Sequence, residues 1–165
     1  MQKIYYHDFL IAEHTYLLGA TNRGLAFVGS WDKGLSELQS FYPEAELIDQ
    51  EAPLRNYYIQ LKEYLEGTRK TFKVAIDISG TEFQKQVWHS LRQIPYGQTT
   101  NYSQIAQSIG RPQAVRAVGS AIGKNPLLII VPCHRVLTKS GKLGGYRGGT
   151  IMKKDLLKIE AKHSQ

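Results

Sequence analysis

The chain's only cysteine, Cys133, lies in the run Pro132-Cys133-His134-Arg135-Val136, with an imidazole and a guanidinium as its next two side chains. Thiolate, not thiol, is the nucleophile of cysteine chemistry, and a basic imidazole or a cation close to the sulfur favours it. Such a pair can attack a carbonyl, as in ester or amide hydrolysis, or a saturated carbon carrying a good leaving group. A lone cysteine is more often a small core residue. Here, however, five large apolar residues, 127–131, precede it, and a proline separates them from the polar pair. The apolar run is expected to be a strand buried on both faces, ended by Pro132, with Cys133 at its edge.

The elements around that cysteine carry an uneven charge. Residues 1–80 hold 8 Lys/Arg against 11 Asp/Glu, whereas residues 81–165 hold 13 against 3. The formal net charge of +7 therefore conceals a C-terminal excess of +10. A basic half of that strength points to a polyanion, and nucleic acid is the commonest one. One cysteine permits no internal disulfide and no cysteine-rich zinc site. No apolar run approaches the length of a membrane span, and the first residues lack the apolar centre of a signal peptide, so a cytoplasmic protein is expected.

Short apolar runs at 4–10, 16–21 and 25–30, separated by turn residues such as Asn22 and Gly24, suggest hairpins of a small sheet. Leu54, Tyr57, Tyr58, Leu61 and Leu65 fall at helical spacing after Pro53, and 72–78 alternates as one more strand. No catalytic constellation stands out before Ser79-Gly80, where the charge balance changes, so residues 1–79 are expected to form a scaffold domain and 80–165 a second domain. Thr81 with Gln84 fits a capping box for a helix through Phe83, Val87, Trp88 and Leu91. Asn101 suits the cap of a short helix over 102–109, and after Gly110-Arg111-Pro112 a second helix is expected over 113–124.

Two short helices joined by a glycine-containing turn form a helix-turn-helix candidate. On the second, Ala114, Val115, Val118, Ala121 and Ile122 are expected to pack inward while Gln113, Arg116, Ser120 and Gly123 share another face. That outer face is almost bare apart from Arg116, which suits close approach to a groove with one long cation projecting. Alternatively, Gly119 and Gly123 simply allow close helix packing. Beyond the cysteine, residues 140–149 place five glycines around Tyr146, a ring suited to lie over a planar ligand. A last helix, 150–160, has Met152, Leu156 and Ile159 as its apolar stripe, with Glu160 at the stripe's edge. There it either faces solvent or partners a histidine.

Across residues 80–160 several motifs occur in one order: Gly80-Thr81 with Phe83-Gln84 and Val87-Trp88, Ile94-Pro95-Tyr96-Gly97, Ala114-Val115-Arg116-Ala117-Val118-Gly119, Asn125-Pro126, the run 131–136, and Gly144-Gly145-Tyr146. Together they resemble the O6-alkylguanine-DNA alkyltransferases. The resemblance implies an α+β (α/β) chain, with a small strand-rich, ribonuclease-H-like N-terminal domain and a mostly helical C-terminal domain carrying a helix-turn-helix of winged-helix type. It implies one-step, irreversible transfer of an alkyl group from O6-alkylguanine, and from O4-alkylthymine, in duplex DNA to Cys133. His134 is then the base, acting through a water and oriented by Glu160, while Asn125 supports the active-site turn. Arg116 replaces a flipped nucleotide, and Tyr102 rotates the target phosphate and protonates the leaving guanine.

By the same resemblance Gln113, Ala117, Ser120, Gly123 and Arg135 contact DNA from the minor groove, and Tyr146, Gly144, Val136 and Arg147 line the base pocket. It implies a monomer with no cofactor and no metal, and no membrane partner. A branch of the family with tryptophan at the cysteine position binds lesions without repair; Cys133 argues for chemistry instead. Two other classes compete with the transferase. A non-catalytic lesion-binding or helix-turn-helix module would bind DNA without becoming alkylated. A cysteine hydrolase built on Cys133 and His134 leaves Arg116, Tyr102 and the basic half unexplained.

Overall fold

Strand β1 (Lys3–Ile11) alternates as a half-buried strand should, with Ile4, Phe9 and Ile11 buried and Lys3, Asp8 and Leu10 exposed. It turns back into β2 (His14–Thr21), which pairs antiparallel with it and with β3 (Gly24–Val28). This hairpin arrangement is the one expected from the apolar runs. A short helix α1 (Leu35–Phe41) then leads to β4 (Glu46–Asp49), which lies parallel to β1 and completes a sheet of order β3-β2-β1-β4. Neither α1 nor β4 has a legible pattern, because α1 buries only Leu38 and β4 buries nothing fully. Ile4, Leu17, Phe27 and Leu38 form the core on this face.

A 3-10 turn, Ala52–Leu54, opens helix α2 (Arg55–Leu65), where Pro53 occupies the first turn as expected. The strand expected over 72–78 does not form. Only Ile76 bridges Leu25, through Leu25 N–H to Ala75 O at 2.9 Å and Asp77 N–H to Leu25 O at 2.8 Å. The alternating residues there are only half-buried, so the period-2 pattern marks an extended segment without a ladder. The computed structural model describes residues 1–164, which divide into two compact units, Met1–Ile78 and a second beginning at Ser79.

In the second unit, helix α3 (Glu82–Arg92) starts with the capping box of Thr81 and Gln84. A side chain at Gly80 would collide with the Trp88 ring, since an added Cβ would lie 2.8 Å from it. A two-residue strand β5 (Thr100–Asn101) precedes α4 (Tyr102–Ser108), whose first turn is capped by Asn101 Oδ1 accepting from Gln104 N–H at 2.9 Å. Gly110, at φ 75°, ends it in a Schellman turn: Arg111 N–H donates to Ala106 O and Gly110 N–H to Gln107 O.

Helix α5 (Val115–Gly123) follows, two residues later than the expected start at Gln113, because 113–114 still belong to the turn. Trp88 Nε1–H donates to Ala121 O at 2.9 Å and locks α3 to α5. The remaining elements are the 3-10 turn Cys133–Arg135, strand β6 (Val136–Leu137) parallel to β5, and helix α6 (Thr150–His163). Among the described residues no helix is long and apolar enough to cross a membrane.

Candidate active site

Residues 127–131 are buried as expected but do not form a strand. They are a coil of tight turns wrapped around one side chain, Asn125. Asn125 Oδ1 accepts from Leu127 N–H at 2.9 Å, and Nδ2 faces Leu127 O at 3.3 Å, Val131 O at 3.0 Å and Cys133 Sγ at 3.3 Å. Ile129 sits at φ 74° in a three-residue turn closed by Ile130 N–H to Leu128 O at 2.8 Å. A β-branched residue in that region is strained by about 1–3 kcal/mol. Pro132, at φ −80° and ψ 62°, centres a second such turn, of the unstrained hand, closed by Cys133 N–H to Val131 O at 2.7 Å. A run of apolar residues reports burial; the buried amide that satisfies its carbonyls decides that it turns.

Cys133 is 5% exposed, and burial pushes its thiol up from the ordinary value. The Asn125 hydrogen bond and the charges of Arg147 and Lys153 work against that burial. The expected help from the neighbouring guanidinium is absent, since Arg135 points elsewhere. His134 is fully buried, with Nε2 2.6 Å from Glu160 Oε2. A carboxylate only accepts, so Nε2 carries the proton and the neutral ring keeps its lone pair on Nδ1. Burial holds His134 below its ordinary pKa, against the pull of Glu160. Burial thus favours the neutral form of both the Cys133 thiol and the imidazole that follows it in the chain.

Glu160 is 1% exposed and is the buried partner of a histidine, not a solvent-facing boundary residue. It also accepts from Arg135 Nε at 2.9 Å, Arg135 Nη2 at 3.0 Å and the Gly97 amide at 3.1 Å. Arg135 corrects an expectation. Only 7% exposed, it gives Nη1–H to Ile94 O at 2.6 Å and stacks over Tyr96, so it braces Glu160 and does not reach for DNA. Physically, a carboxylate buried beside a neutral histidine requires a permanent counter-charge, and Arg135 supplies it.

Around this centre Arg147 gives Nη2–H and Nε–H to Asn125 O at 3.0 and 3.3 Å. Tyr102 is half-buried at the head of α4; burial first, then the charge of a Cys133 thiolate, raises its pKa and keeps it a proton donor. Gly144 lies against it, since an added Cβ would stand 3.3 Å from Tyr102 Oη. Tyr146 packs on Gly148, where a side chain would meet the ring at 2.7 Å, and Val136 is fully buried in β6. Lys153 escaped the sequence reading. It lies on the buried face of α6 with Leu156 and Glu160, three and seven residues on, and a cation at those spacings is the signal that marks it. Among the described residues no group of three or more His, Cys, Asp or Glu is placed to hold a metal.

Gln113, Arg116, Ala117, Ser120 and Gly123 are all exposed, on or just before α5. Helix packing does not explain Gly123, because an added Cβ there meets nothing within 4 Å, and at Gly119 it meets only the Tyr102 ring at an ordinary 3.9 Å. The second unit thus combines a buried thiol held by a buried amide with an exposed, nearly bare helix face from which one long cation projects.

Residues 82–162 match the family described as 6-O-methylguanine DNA methyltransferase, DNA binding domain. The chain is 46% identical to the inducible methylated-DNA–protein-cysteine methyltransferase of Bacillus subtilis, over 98% of this chain and 92% of that protein. Among solved structures, the O6-methylguanine methyltransferase of Mycobacterium tuberculosis superposes with a TM-score of 0.83 at 37% identity, covering 100% of this chain and 96% of that one. The M. tuberculosis OGT in complex with DNA superposes with a TM-score of 0.81 at 36% identity, covering 98% and 94%. The chain belongs to the methylated-DNA–protein-cysteine methyltransferase family. It is thus a DNA-binding methyltransferase of direct repair.

Proposed function

We propose that the protein repairs O6-alkylguanine, and O4-alkylthymine, in duplex DNA by a single irreversible transfer to Cys133. Substitution at a saturated carbon needs a soft nucleophile and a stabilised leaving group. Cys133 loses its proton through a water to His134, whose imidazolium is held by Glu160. The sulfur then bonds the alkyl carbon as the carbon–O6 bond breaks, its electron pair passes to the guanine, and Tyr102 O–H protonates that base. The thioether formed cannot be hydrolysed, so each molecule acts once. The observation that carries this assignment is a buried thiol held by Asn125 and followed directly in the chain by a buried imidazole that Glu160 braces.

O6 lies inside the base stack, so the nucleotide must leave it, and Arg116 fills the gap from the exposed face of α5. Gln113, Ala117, Ser120 and Gly123 lie along the minor groove and read backbone, not base edges, which serves a protein that must find damage in any sequence. Tyr146, Gly144, Val136 and Arg147 surround the extruded base, while the first unit acts as a scaffold. The protein works as a monomer in the cytoplasm.

The experiment is intact mass measurement after incubation with a duplex containing one O6-methylguanine, at several protein-to-DNA ratios, with Cys133→Ala as control. One methylene unit gained on the Cys133 peptide, never more than one per molecule, is the expected outcome. An unchanged mass with the duplex bound would instead make the protein a lesion-binding module.

A further inference from the structure

Lys153 has no part in the proton path described above, yet it is fully buried. Its ammonium gives one hydrogen bond to Val136 O at 2.6 Å, one to Leu143 O and one to Gly145 O at 3.2 Å. An ammonium has three N–H donors, and three backbone carbonyls take them, each in a charge-assisted bond. Burial alone would push this amine toward neutrality, and a thiolate at Cys133 would draw it back.

The three carbonyls come from two different walls. Val136 is the first residue after the turn that holds Cys133 and His134. Leu143 and Gly145 bracket Gly144, the glycine against Tyr102 Oη, and Tyr146 follows directly. This loop is secured on one side by Thr138 N–H to Lys142 O and on the other by Gly149 N–H to Tyr146 O. Between those bonds lie Gly144, at φ 71°, and Gly145, two adjacent glycines with high conformational entropy in need of fixing.

We infer that Lys153 is a positioning residue for alkyl transfer: its single ammonium ties the glycine-rich loop to the exit of the acceptor turn and so sets the width of the pocket between Tyr102, Tyr146 and Cys133. The inference rests on the assignment of that pocket to the alkylated base. Lysine is required because a tetrahedral ammonium reaches three converging carbonyls, whereas a planar guanidinium is larger and points its donors in one plane. The exposed face of α5 is untouched by this tie, so DNA affinity is independent of it.

The test compares Lys153→Met and Lys153→Gln with the parent protein. Glutamine keeps two N–H donors and serves as the deciding variant if the methionine protein does not fold. Amide hydrogen exchange over 143–149 should accelerate at least tenfold while exchange in α3, α4 and α5 keeps its parental rate, a split that a merely structural lysine would not produce. Methyl transfer at saturating duplex should slow at least tenfold for methionine and less for glutamine, with affinity for undamaged duplex within twofold of parent. Parental exchange in the loop, or transfer within twofold of parent, in a folded variant overturns the inference. If the parent protein itself accepts no methyl group, the base-pocket assignment fails, and loop exchange still decides whether Lys153 is the tie.

Discussion

Replacing Glu160 by glutamine strikes the site where its constraints converge. The two carboxylate oxygens accept hydrogen bonds from His134 at 2.6 Å, Arg135 at 2.9 and 3.0 Å, and Gly97 at 3.1 Å. An amide keeps one acceptor and turns the other into a donor, which must then face an N–H of either His134 or Arg135. The Arg135 guanidinium, 7% exposed, is left without its counter-charge. Breaking a buried pair at one partner costs about 3–5 kcal/mol. At about 4–8 °C per kcal/mol for a domain of this size, the Tm of the second unit should fall by about 12 °C or more.

In the relay proposed above, the same change removes the carboxylate that holds the imidazolium formed when His134 takes the Cys133 proton. A hydrogen bond to a charged group is worth about 1.5–3 kcal/mol, so transfer should slow about 10- to 150-fold. The assay is single-turnover methyl transfer at saturating duplex, run well below the variant's melting range, beside a thermal melt. A Glu160→Gln protein that melts within about 2 °C of parent and transfers within twofold of it would refute the relay.

Arg116→Ala should leave reaction with free O6-methylguanine near the parental rate while repair of the duplex drops at least tenfold, because only the duplex needs its gap filled; equal losses on both substrates would remove Arg116 from extrusion. Stability should depend on pH through His134. Its folded pKa lies below the unfolded value, so below about pH 6.5 the unfolded chain binds the proton first. This contribution is complete above that pH and is lost as pH falls through the folded value. The urea midpoint should therefore decline from pH 7 to pH 5, and decline less in His134→Gln; equal slopes in the two proteins would show that the ring's burial is not coupled to folding.

Much of the site could be read from residue order because its signals are local. The Thr81 and Asn101 caps, the glycine turn before α5 and the bare face around Arg116 depend on neighbours within one or two turns, and each stands where the spacing puts it. The 127–131 run misled because apolar side chains report burial and say nothing of the path the backbone takes. That path is set by Asn125, whose amide collects carbonyls two and six residues on.

The amino-acid sequence by itself determined the lone cysteine, the imidazole next to it, the basic half and the helix-turn-helix, since these are matters of composition, adjacency and period. Only the tertiary structure decided which charges face which. Arg135, next but one to the cysteine, turns away to neutralise Glu160, while Arg147 and Lys153, 14 and 20 residues further on, supply the positive field at the sulfur. The physical reason is that a buried charge must find a partner in space, and the partner's distance along the chain carries no penalty once the core has closed around both.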